Sequence, residues 1–179
     1  MNATLLYRML TAVGAFLAMA SGLLAVARVA RTRFYVPPGM LAAILRAADP
    51  VVTSNGDRLR FESFSACCGV HARLDVLPGA LDGPAMDTGT TNVDFNPPMR
   101  QALAGIGGLD PLHLSVGDDV TVTTLEESVT EQRVPLPRRW IKGFAEVQVA
   151  AAGMRPVLDV PVVEARGSDA TNRRAGVCD

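Results

Sequence analysis

An α+β fold, with antiparallel β-hairpins packed against three or so short helices and an N-terminal hydrophobic helix, is what this 179-residue sequence predicts. Three observations point there. An Asn-Gly pair sits between two β-like runs at residues 51–62. Several further segments alternate apolar and polar residues with period two, and others repeat with helical period. No strand–helix–strand rhythm is long enough for a doubly wound parallel sheet, and no internal repeat is visible.

The elements follow in order. Met9 to Ala27 is uncharged, with Arg8 before it and Arg28, Arg31 and Arg33 after it. A stretch of this length just spans a bilayer as a helix, and the trailing arginines would then keep the body cytoplasmic. Ala18-Met19-Ala20 also has the small-x-small form of a signal-peptide cleavage site. The high share of Ala, Gly, Ser and Thr equally suits a buried core helix, or a start annotated too early. Residues 1–31 are therefore set apart from an α+β body at 32–165 and a polar, disordered tail at 166–179.

In the body, Pro38 opens a short helix to Ala48 carrying Met40, Leu41, Ile44 and Leu45 on one face. Asn55-Gly56 is expected as the central pair of a type I′ turn. Leu59 and Phe61 then face the core, while Arg58, Arg60 and Glu62 face solvent. Val70, Ala72, Leu74 and Val76 make the next buried face, with His71, Arg73 and Asp75 opposite. A long loop follows, with a strand at Thr91–Phe95, before Asn96 caps a helix that starts at Pro97 and Pro98 and buries Met99, Leu103 and Ile106. Gly107-Gly108 ends it. Val120, Val122 and Leu125 form one strand, Val129 and Val134 the returning one, with "EES" as the turn. Trp140, Ile141, Phe144, Val147 and Ala151 form the stripe of a last helix.

Net charge is −1, which argues against a whole-chain electrostatic grip on nucleic acid. Three cysteines are too few for a disulfide framework, so reduced thiols in a reducing, cytoplasmic compartment are expected. Cys67, Cys68 and His71 are weak metal candidates. Adjacent strand residues point to opposite faces, so the two thiolates do not readily share one ion. The preferred reading makes both cysteines small buried residues at a strand junction, beside a bend at Gly69, with His71 on the solvent face. A reactive cysteine with His71 as base is the weaker alternative. There is no G-x-S-x-G elbow, and "GIGGLD" follows a helix and lacks a Walker lysine. Asp118-Asp119 and Glu126-Glu127 fall at turns. Arg138, Arg139 and Lys142, the only lysine, surround Trp140 and form the candidate interaction site, with Trp140 either buried or free to stack on a base.

Three segments, "RLRFESFSACCGVHARLDVLPGALDG", "GTTNVDFNPPMRQAL" and "VPLPRRWIKGFAEVQVA", together resemble the N-terminal region of bacterial, mainly actinobacterial, SWIM zinc-finger family proteins, over about Arg33 to Val163. The resemblance implies a non-catalytic interaction module, followed in full-length relatives by a zinc finger that binds DNA or protein. The C-x-C…C-x-H motif that names the family is missing from this sequence. No zinc ligand carries over, zinc is expected only in full-length relatives, and the chain reads as truncated before the finger. A membrane-anchored protein held through residues 9–27 is the second reading, and a cysteine-dependent enzyme the third.

Overall fold

The computed structural model describes residues 5–8, 15–34, 39, 49–81, 87–107, 110–136 and 138–155. The helix expected at 38–48 and the tail at 166–179 lie outside these residues. The fold is α+β: two four-stranded antiparallel sheets with three α-helices among the described residues.

The chain runs β1 (Leu5–Arg8), α1 (Ala15–Arg31), β2 (Val51–Asn55), β3 (Leu59–Phe64), β4 (His71–Val76), a 3-10 turn (Pro78–Ala80), β5 (Thr88–Asn92), α2 (Pro97–Gly105), β6 (His113–Val116), β7 (Val120–Thr123), β8 (Ser128–Glu131) and α3 (Arg138–Ala151). One sheet has the order β1-β6-β7-β8 and the other β4-β3-β2-β5. They meet where β5 runs out. Val93 bridges Arg133, the Val134 amide donates to Asn92 O at 2.8 Å, and the Thr91 hydroxyl donates to Asp118 O at 2.7 Å.

Period-two burial explains the inner faces. Val52, Leu59, Phe61 and Val76 from one sheet, and Leu114, Val116, Val120 and Val122 from the other, enter one apolar cluster. Helix α1 contributes Met19, Ala20, Leu23, Val26 and Ala27 at helical spacing. It lies on β3 and β4 and beside α2, and the buried Ser63 hydroxyl donates to Val26 O at 2.7 Å. Of the 9–27 stretch read as an anchor, residues 9–14 lie outside the described residues, and the rest belongs to α1, one face of which is matched to the apolar side of a sheet. Met19 and Ala20 of the suggested cleavage site are buried within it. Among the described residues no helix is long and apolar enough to cross a membrane.

Five local expectations change. Val134 lies beyond β8, which ends at Glu131, and its amide bonds Asn92 O instead. The β2–β3 turn is centred on Gly56-Asp57, since Ser54 pairs with Leu59 and the Asn55 amide reaches Arg58 O at 3.4 Å. Gly56 alone there has positive φ, +85°, the pattern of a type II′ rather than a type I′ turn. The strand expected at 91–95 begins earlier, at Thr88, because Thr88 to Asn92 pair with β2. Leu125 does not continue its strand; it sits exposed in the β7–β8 turn. Ile141 is exposed as well, because Trp140, Phe144 and Val147 define the inward face of α3.

Candidate functional site

Cys67 and Cys68 occupy the tight loop from β3 to β4. Ser65 organises it. Its amide donates to Val70 O at 2.8 Å, its carbonyl accepts the Cys68 amide at 2.7 Å, and its hydroxyl accepts the Val70 amide at 3.0 Å. The expected burial of the cysteines is overturned: both are exposed, because the chain turns outward at the loop apex. Cys68 has φ +58°, the left-handed region that disfavours a side chain with a Cβ. The Cys67 sulfur lies 3.5 Å from the Ser65 hydroxyl oxygen. That contact, helped by the backbone amides of Phe34 and Gly69, lowers the Cys67 thiol from 9.0 to about 7.

His71 lies on the face where alternation placed it, but that face is not solvated here. Its side chain is only 18% exposed. Its ring lies 4.8 Å from that of Phe64, and its Nε2 stands 3.3 Å from Oε1 of buried Glu62, without hydrogen-bond alignment. The physical reason is a second layer. Helix α3 lays Trp140 and Phe144 over this end of the sheet, with edge-on contacts to Phe64 at 5.6 and 5.1 Å. The face read as solvated therefore carries its own small core of Val51, Phe64 and Trp140. His71 Nε2 is thus turned toward Glu62. Among the described residues, no group of three or more His, Cys, Asp or Glu is placed to hold a metal ion.

Further along the same face, three arginines converge on one carboxylate. Arg60 Nε donates to Asp75 Oδ1 at 2.7 Å, Arg73 Nε to Oδ2 at 2.9 Å, and Arg58 stands 3.9 Å away. Burial pushes Asp75 upward, but the Arg73 and Arg60 guanidiniums outweigh it and hold the carboxyl below its ordinary range. Arg58 also grips Asp57 at 2.7 Å. Asp75 and Asp57 thus offset two of the three positive charges.

On α3, Arg138 and Lys142 are exposed and Arg139 lies between Arg138 and Trp140 in the first turn. Trp140 is 0% exposed, so no ring face is free to stack on a base. Lys142 pairs with Glu146 at 3.5 Å, one turn on. Outward from these residues stand Ile141, 58% exposed, and Val149, 80% exposed, with exposed Ala145 between them. The helix is apolar on two sides, and only one of them meets the sheet.

One cluster had no sequence signal. Asp49, just before β2, is 1% exposed. Burial first, and then the hydrogen-bonded Asp94 carboxyl, raise Asp49 from 3.8 to about 7, against the pull of Arg31. Nearby Glu131 accepts the Asn96 amide at 3.0 Å and the Asn96 side-chain amide at 2.8 Å. Asn96 is thus the residue before α2, but its side chain serves Glu131 rather than capping the helix. These residues lie far apart in sequence and meet only because the two sheets join here. Glu126 and Glu127 line a shallow cleft with Asp110 and Gly105 at the β7–β8 turn.

No protein-family model matches this chain. No curated protein matches it either. Among solved structures it is similar to the DNA polymerase III subunit beta from Pseudomonas aeruginosa, at 12% identity and a TM-score of 0.43, over 90% of this chain and 33% of that one. It is similar also to a DnaN sliding clamp from the same organism bound to griselimycin, at 14% identity and a TM-score of 0.44, with the same coverage. The chain spans about a third of the length of those proteins.

Proposed function

We propose that this chain is a non-catalytic protein-interaction module whose docking surface is the outward stripe of α3. The observation that carries the reading is the exposed series Ile141, Ala145 and Val149, spaced four residues apart on one helical face. A ridge of this kind suits the apolar face of a partner helix. The flanking Lys142–Glu146 pair is self-neutralised and the chain carries a net charge of −1, which favours protein over a phosphate backbone. The small number of cysteines in the sequence suits a reducing, cytoplasmic setting.

The resemblance to SWIM-family N-terminal regions adds a further part to the proposal. In longer relatives this module would stand ahead of a zinc finger, and zinc and any DNA contact would belong to that segment.

The test is a photo-crosslinking residue placed at Val149, with Thr130 on the polar outer face of the other sheet as the comparison site. Discrete protein adducts are expected from position 149 alone, and Ile141→Asp should abolish them. Equal capture from both positions, or none from 149, would sink the reading.

A further inference from the structure

We propose that the Cys67–Cys68 loop is a thiol-modification site, in which the Cys67 thiolate exchanges with a low-molecular-weight disulfide and is held as a mixed disulfide. The inference is independent of docking on α3.

The loop is built around the sulfur of Cys67. Ser65 is fully buried, and its hydroxyl oxygen already accepts the Val70 amide at 3.0 Å. A hydroxyl has a single proton to give. With the oxygen engaged by Val70, that proton is free to point at Cys67 Sγ, 3.5 Å away. The nearby backbone amides of Phe34 and Gly69 also favour the charged sulfur. Donors stabilise a thiolate more than a thiol, so the loop favours the nucleophilic form near neutral pH. Access is open on the remaining side. Cys67 is exposed, and Gly69 places no side chain against the sulfur, where a Cβ would stand 3.7 Å away.

The adjacent exposed Cys68 decides what the product is. Two exposed thiols on successive residues raise the alternative of an internal disulfide, but that ring contains the intervening peptide bond and strains it. The mixed disulfide is the more stable outcome. The left-handed backbone at Cys68, pinned by its amide to Ser65 O at 2.7 Å, keeps it at the loop apex.

The step balances without another reactant. Cys67 releases its proton to water. Its thiolate attacks one sulfur of the small disulfide, the S–S bond of the reagent breaks, and the second half leaves as a thiolate. The protein sulfur is oxidised and the departing half is reduced. Excess thiol reverses the exchange.

The experiment uses the full chain carrying Cys178→Ser, treated with glutathione disulfide between pH 6 and pH 9. Intact mass and peptide mapping read the product, and the rate of adduct formation gives its pH dependence. One glutathionyl group per chain is expected on Cys67. It should be retained in Cys68→Ser, lost in Cys67→Ser, and removed by dithiothreitol. The rate should reach half its plateau near pH 7, the value the loop imposes on the Cys67 thiol. The same chain unfolded in urea should do so near the ordinary thiol value of 9.0. Ser65→Ala should move the native midpoint toward the unfolded one. Coincident profiles for folded and unfolded chain, an adduct mapping to Cys68, or an internal Cys67–Cys68 disulfide as the main product would each overturn the proposal. Should Ser65→Ala not fold, the folded-against-unfolded comparison decides alone.

Discussion

Replacing Asp49 with asparagine should flatten the stability of this protein against pH. Asp49 is almost wholly buried, one of its oxygens has no partner, and its carboxyl is hydrogen-bonded to that of Asp94. Its folded-state value, about 7, stands well above the ordinary 3.8. The folded chain therefore holds a proton that the unfolded chain has already lost across most of that interval. Stability from this group is complete below pH ~4 and is lost as pH rises through ~7. A tenfold change in proton affinity corresponds to ~1.4 kcal/mol, so the whole interval amounts to on the order of 4 kcal/mol. Roughly 2–3 kcal/mol of that falls between pH 5 and pH 8. Asparagine retains a donor toward Asp94 and has no charge to acquire. Urea unfolding followed by far-UV circular dichroism at pH 5 and pH 8 gives the comparison. The wild-type chain should lose about 2 kcal/mol more than Asp49→Asn over this range. Asp75 pulls the opposite way, since its lowered value costs stability in acid, but it is common to both chains and cancels. Parallel curves for the two proteins would refute the reasoning.

Two other substitutions probe the contacts that set the site. At Gly143 an added Cβ would stand 2.9 Å from Phe64, whose ring is hemmed in by His71, Trp140 and Phe144. Gly143→Ala should therefore cost about 1 kcal/mol net, overpacking exceeding the gain in helix propensity; a higher urea midpoint for the variant would contradict this. Glu131→Ala releases both Asn96 donors and should cost about 1–2 kcal/mol, with faster amide exchange in the first turn of α2. Unchanged exchange there would mean that Glu131 does not tether the start of the helix.

Much of the fold was legible locally. The inner faces of β3, β4 and β7 follow from alternation, because a strand sends successive side chains to opposite sides whatever lies beyond. The limits of α2 and α3 follow from proline at the start of one and the apolar period of both. The two-residue turn was placed one position early because Asn55 and Gly56 both tolerate positive φ, and only the Ser54–Leu59 register shows that Gly56 takes it alone. For the candidate site less could be read. "Solvated" was inferred for Glu62 and His71 from polarity, yet polarity does not reveal whether a distant helix will cover a face. The cysteines look like core residues by type, while their loop directs them outward.

The sequence by itself determined the class of fold, the strand faces turned to the main core and the helical stretches, since each depends on neighbours within a turn or a strand. Tertiary structure alone decided that α1 belongs to that core, that α3 covers Phe64 beside His71, and that Asp49, Asp94 and Glu131 meet at the seam between the sheets. It also decided that the Ser65 hydroxyl oxygen sits 3.5 Å from the Cys67 sulfur. The reason is physical. Burial and proton affinity depend on what the rest of the chain brings within a few ångströms, and those partners are set by packing between elements rather than by the pattern within any one of them.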